Sequence, residues 1–138
     1  MIVVDTNVFS EPLKPRGEQR VVDWLDRQPA ESLYLCAMTL AEVRTGIAKM
    51  PRGRRREYLQ EGAQLMLGRF AGRILPFDEQ AACKYAEIQE ALKAQGIAIS
   101  VSDCLIASVA AARGFAVATR DVRPFQAAGL EVINPWEN

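Results

Sequence analysis

No histidine occurs anywhere in the 138 residues of this chain. Its absence excludes Ser-His-Asp and Cys-His catalysis and disfavours a zinc site built on imidazole. Cysteine is scarce as well: Cys36, Cys83 and Cys104 are odd in number and lack any C-x-x-C spacing. They read as buried, reduced thiols of a cytosolic protein, not as a disulfide frame. Neither charge is in excess, because 17 Lys and Arg balance 17 Asp and Glu. That is not the profile of a free-standing nucleic-acid binder. No apolar run approaches the roughly 18 residues of a membrane span, and Asp5 interrupts the apolar start in a way that does not fit a signal peptide. A G-x-x-x-x-G-K phosphate loop is missing, which disfavours a nucleotide-triphosphate motor.

What is present is an ordinary single-domain length with 49% hydrophobic residues. A chain of this size buries roughly two-thirds of its unfolded surface, enough for a core without staples. There is no repeat, no low-complexity segment and no linker, so residues 1–138 are expected to form one domain.

Short β-branched runs alternate with helical patterns. Ile2-Val3-Val4 suits a central parallel strand buried on both faces. A turn or short helix follows through Glu11, broken by Pro12 and Pro15. Helix is expected from Glu18 to Arg27, strand at Leu33–Cys36, helix from Thr39 to Lys49, and helix from Arg54 to Phe70. Strand Ile74-Leu75 is closed by Pro76. Asp78 caps a helix to Gln95 with Gly96 as its stop, and Ser100 opens another to Arg113, stopped by Gly114. Ala116–Ala118 and Glu131–Ile133 are strands, with a short helix or loop over Val122–Ala128 between them. Such alternation predicts an α/β chain with a parallel sheet covered on both faces.

Four carboxylates stand at element ends: Asp5 after the first strand, Glu42 and Asp103 one turn into helices, and Asp121 after Val117-Ala118-Thr119-Arg120. In open parallel sheets, ligands bind beyond the carboxyl ends of the strands, so the fold brings all four to one edge. An all-oxygen acidic pocket suits Mg²⁺ or Mn²⁺. Clustered carboxylates raise one another's pKa unless a cation neutralises them. Asp5, Asp103 and Asp121 are therefore the candidate metal ligands, with Glu42 completing the set directly or through water. A metal-activated water attacking a phosphodiester is the reaction such a pocket supports. Each acid also has a plainer reading. Thr39-x-x-Glu42 and Ser100-x-x-Asp103 are capping-box patterns, Asp5 is a fitting N-cap, and Asp121 suits a turn. Thr6 and Asn7 are further polar ligands or caps, and Thr119 is either a support for a carboxylate or water or a strand-end hydroxyl.

Arg52, Arg54, Arg55 and Arg56, with Arg44, Lys49, Arg69 and Arg73, form a basic region. It is either a solvated helix start or a phosphate-contacting rim. Leu59, Met66 and Phe70 line one helix face, which serves either the core or a dimer contact. Two other acidic-pocket classes fit less well. An aspartyl-phosphate phosphatase needs a second Asp where Asn7 stands, and a receiver domain needs a Lys near the last strand, yet no Lys follows Lys93.

Val4-Asp5-Thr6-Asn7, Glu42 in Thr39-Leu40-Ala41-Glu42, Asp103 followed by Cys104-Leu105-Ile106-Ala107, and Val117–Asp121 resemble the pattern of PIN-domain nucleases. Ser10-Glu11-Pro12-Leu13, Phe70–Asp78 and Asn134-Pro135-Trp136 are similar to the VapC/FitB-like toxins of type II toxin–antitoxin pairs. The resemblance spans nearly the whole chain. It implies a three-layer α/β/α sandwich with a five-stranded parallel sheet. It also implies Mg²⁺- or Mn²⁺-dependent endoribonuclease activity, a homodimer, a cytoplasmic setting, and a small DNA-binding antitoxin whose tail blocks the acidic pocket. A larger toxin–antitoxin assembly on operator DNA would follow. Many PIN domains have Asn where Arg120 stands, which leaves Arg120 either reaching a substrate phosphate or facing solvent.

Overall fold

A computed structural model describes residues 1–137. Asn138, the last residue of the expected domain, lies outside the described residues. The sheet is built from β1 (Ile2–Val4), β2 (Leu33–Cys36), β3 (Ile74–Leu75), β4 (Ala116–Ala118) and β5 (Val132–Ile133). All pairings are parallel and the order is β3-β2-β1-β4-β5. β1 is thus the middle strand, and the order reverses beside it, so its carboxyl end opens a crevice between oppositely directed crossovers.

The two-residue period of a strand decides which layer each side chain enters. Val4, Leu33, Leu35 and Ala118 pack into one core with Val8, Phe9, Val21, Trp24, Leu25 and Phe70. Val3, Cys36 and Val117 pack into the other with Ile88, Leu92, Ile106, Val109 and Phe125. Helices α1 (Thr6–Ser10), α2 (Gln19–Arg27), α3 (Ala37–Ala48) and α4 (Arg54–Gly68) supply residues to the first layer. Helices α5 (Glu79–Gln95), α6 (Val101–Arg113) and α7 (Val122–Ala127) supply the second. The result is the three-layer α/β/α sandwich with a five-stranded parallel sheet.

Helix ends follow their local chemistry. Asp78 and Ser100 accept from Ala81 N and Asp103 N as N-caps, while Gly96 and Gly114 close α5 and α6 with φ of 68° and 69°. Those left-handed positions carry no Cβ penalty only for glycine.

Two expectations need correcting, and one open alternative is decided. α3 starts at Ala37, directly off β2, and Cys36 gives it no side-chain cap. Thr39 is therefore inside the first turn, fully buried, and is not a cap. Phe70 and Met66 serve the core, Phe70 lying 5.9 Å from the Phe9 ring, whereas the outward apolar residues of α4 are Tyr58 and Leu65. Of the three thiols, Cys36 and Cys104 are buried but Cys83 is exposed.

Candidate active site

The pocket is built outward from Asp5. β1 delivers it to the middle of the sheet's carboxyl edge, where it is 2% exposed and also N-caps α1. Its Oδ1 accepts the Thr6 N–H at 2.6 Å and its Oδ2 accepts the Thr119 hydroxyl at 2.8 Å. Thr119, fully buried one residue past β4, accepts in turn from the Asp121 N–H at 3.1 Å. That single hydroxyl joins two of the four acids and fixes the register between β1 and the Thr119–Asp121 segment.

Glu42 approaches from α3. Its Oε1 lies 3.0 Å from the Thr6 hydroxyl and 2.6 Å from the Ser102 hydroxyl on α6. Thr6 Oγ1 also lies 3.2 Å from Thr39 Oγ1. Thr6 has one hydroxyl proton, and the carboxylate is the stronger acceptor, so Thr39 is left to donate to Thr6. Glu42 Oε2 has no hydrogen-bond partner among the described residues and is the oxygen left for other duty.

Asp103 sits half-buried on the first turn of α6, beside the Ser100 cap. Asp121 is exposed and, although it precedes α7, makes no capping hydrogen bond with its side chain.

Electrostatics tie the acids together. Burial first, then Asp103 and Glu42, push the Asp5 carboxyl up to about 6, against the lowering pull of the Thr119 and Thr6 hydrogen bonds. Asp103 is raised by burial and then by Asp121 and Glu42, against the Ser100 hydroxyl. Each of the four is thus within electrostatic reach of at least one other. Cys36, beneath them, is pushed up to about 12 by burial and by Asp5, which makes it an inert thiol. Among the described residues, no three His, Cys, Asp or Glu side chains stand close enough to hold an ion between them as placed. The acids surround the pocket without closing on a point.

The supporting polar residues are only partly those expected. Thr6 and Thr119 contact the acids, while Asn7 is exposed on the first turn of α1. Arg120 does not face solvent alone: its guanidinium lies over the Trp136 ring, 5.3 Å from the centroid. Ser102 has no role in the sequence pattern, and Thr39 has only that of a cap, not of a partner to Thr6. The clue to Ser102 was its place beside Asp103 at the start of a helix that opens at the same edge. In the basic region, Arg69 pairs with Asp26 at 3.0 Å and Arg73 donates to the Leu33 carbonyl at 3.0 Å, so these two pin the fold. Arg55 instead lines an apolar groove of about 370 Å³ that begins at Thr6 and Glu42 and continues past Leu13, Ile47, Met50 and Tyr58.

The PIN domain family model matches residues 2–130. The VapC ribonuclease Y4jK of Sinorhizobium fredii is 49% identical over 138 residues, covering 99% of each chain. Toxin FitB of Neisseria gonorrhoeae is 47% identical over 139 residues, with full coverage of both. The crystal structure of FitAcB from Neisseria gonorrhoeae superposes with a TM-score of 0.94 at 46% identity over the whole of both chains. FitAB bound to an IR36 DNA fragment superposes at 0.93, with 47% identity over 99% of this chain and 96% of that one.

Proposed function

The chain belongs to the PIN-domain family, and from that premise we propose that it is a metal-dependent endoribonuclease, a single nuclease domain acting as the toxin of a type II toxin–antitoxin pair. The observation that carries this reading is Asp5: a buried carboxylate at the middle of the sheet edge, held by two donors and charged against Asp103 and Glu42. Near-full-length similarity to a VapC ribonuclease and to Toxin FitB supports it.

The donor set fits Mg²⁺ or Mn²⁺ in kind, being all oxygen and mutually repelling. Asp5, Asp103 and Asp121 would hold one or two ions, with Glu42 joining directly or through water. Asp103 and Asp121, less buried than Asp5, are the ligands free to turn inward. Such an ion, when bound, lowers the pKa of water and neutralises charge on phosphoryl oxygens. The chain's own contribution is orientation. Thr119 and the Thr6 N–H fix both oxygens of Asp5, and Thr6 with Ser102 fixes Oε1 of Glu42, which leaves Oε2 available to a ligand. Hydrolysis by an in-line water would leave a 5′-phosphate and a 3′-hydroxyl.

The antitoxin reading draws support from the apolar groove that starts at Thr6 and Glu42, a path along which a partner's tail reaches the acids. Homodimerisation draws support from an apolar pocket at Ala37, Ala41, Phe77 and Leu105, with Phe77 44% and nearby Val101 65% exposed. No helix among the described residues is long and apolar enough to cross a membrane, and we place the protein in the cytoplasm, where its RNA substrate is.

The test is cleavage of single-stranded RNA by the chain purified free of partner, with Mn²⁺ and with EDTA. Turnover that requires Mn²⁺ and is lost in Asp5→Asn is expected. Unchanged turnover in Asp5→Asn, or with EDTA, would refute the assignment.

A further inference from the structure

We propose that Arg120, stacked on Trp136, is a substrate-binding residue that grips an RNA phosphate on the flank of the acid pocket, and that Trp136 is its positioning residue. The inference rests on the ribonuclease reading above and names how that site holds its substrate.

Arg120 lies between two residues tied to the site. Thr119 donates to Asp5 and Asp121 donates its N–H to Thr119, so the backbone on both sides of Arg120 moves with the acids. The side chain is fixed separately, over the Trp136 ring at 5.3 Å. Stacking uses the flat face of a guanidinium and leaves its N–H edge free to donate to phosphate oxygens. Arg120 is exposed and takes part in none of the four ion pairs among the described residues. The platform beneath it is itself anchored. Trp136 N–H donates to Asn134 Oδ1 at 3.1 Å, Arg20 reaches the Trp136 carbonyl at 3.4 Å, and the ring packs on the core.

The charge balance supports the same assignment. Four carboxylates with one divalent ion still repel a phosphodiester, so a second cation beside them lowers the cost of approach. Buried Glu11 lies within electrostatic reach of Arg120. It offsets the cost of keeping a cation there without taking its N–H groups in an ion pair. The geometry is prepaid: the arginine need not be ordered when RNA arrives.

The experiment measures both turnover on a single-stranded RNA and binding of the same RNA by anisotropy in the Asp5→Asn background. Arg120→Ala is expected to raise KM about tenfold with kcat within about threefold, as for a lost charge-assisted hydrogen bond. Its binding should lose about 0.7 from the salt slope, one phosphate contact on a single strand. Trp136→Leu should raise KM in the same direction, and Trp136→Phe, which keeps an aromatic face, should recover most of the loss. If wild type cleaves RNA while Arg120→Ala leaves KM and salt slope unchanged, the proposal is wrong and the ribonuclease reading stands. A kcat loss in Trp136→Leu that Trp136→Phe does not rescue, with KM unmoved, assigns Trp136 to folding alone and overturns its part. A wild type that cleaves no RNA overturns both.

Discussion

Two buried carboxylates lie six positions apart on the first segment of the chain and meet opposite electrostatic fates. Asp5 is 2% exposed and Glu11 5% exposed. Asp5 is raised to about 6, because burial and two like charges outweigh two hydrogen bonds. At Glu11 burial also raises the pKa, but the Lys14 ammonium at 2.7 Å, the Glu18 N–H at 2.9 Å and the more distant Arg120 outweigh it, and the net direction is down. The fold thus fully answers one buried charge and leaves the other in repulsion. A group left in repulsion is what a binding site for a cation requires, and a fully answered one is what a stable turn requires.

The largest effect that would break this contrast is on turnover. Asp5→Asn should lower RNA cleavage by about a thousandfold or more, whereas Glu11→Gln should stay within about tenfold of wild type. Equal losses in the two variants would show that both carboxylates serve the fold alone.

Stability should run the other way. Glu11→Ala strands the Glu18 N–H and empties a buried site, and should cost about 3 kcal/mol in a denaturant titration. Gly17→Ala attacks the same turn, because a Cβ there would run into the Glu11 carbonyl oxygen. A loss of about 2 kcal/mol is expected from that clash. Asp5→Asn, in metal-free buffer near neutral pH, should instead be more stable than wild type by about 1 kcal/mol, since it removes a charge the fold disfavours. A destabilised Asp5→Asn would show that its hydrogen bonds dominate its repulsion.

The pH dependence sharpens the same comparison with a smaller signal. Asp5 binds its proton more tightly folded than unfolded, so metal-free stability should fall as pH rises from 3.8 to about 6. Glu11 is lowered from 4.5, so its contribution is present above that value and lost as pH falls through its lower folded value. Wild type should therefore converge with Glu11→Gln at the acid end and gain stability over it as pH rises toward 4.5, and should lose stability relative to Asp5→Asn between pH 3.8 and about 6. Coincident pH profiles for all three would contradict both directions.

How much of this was legible in the sequence depended on whether the signal was local. The five strands were readable because each is a short apolar run ended by a breaker or a polar switch, and the stops at Gly96 and Gly114 because φ there demands glycine. The placement of Asp5 and Asp121 at one edge followed from parallel topology alone. The start of α3 was not readable. Its backbone turns straight out of β2 with no cap, and Thr39, which resembles a cap, is buried against Thr6. Glu11 was visible only as part of a family motif, because its partners Lys14 and Glu18 meet it through a turn that Gly17 permits. Ser102 and the Arg120–Trp136 pair were hidden for a related reason. Their contacts join residues 60 and 16 positions apart, and no periodicity reports such pairs.

The central claim is that the four acids form a seat for a divalent ion. Calorimetric titration of Mn²⁺ into the purified chain near neutral pH tests it most directly. Saturable binding with proton release from the raised Asp5 is expected, lost in Asp5→Asn and weakened in Asp103→Asn. No binding to wild type, or equal binding to wild type and Asp5→Asn, would contradict it.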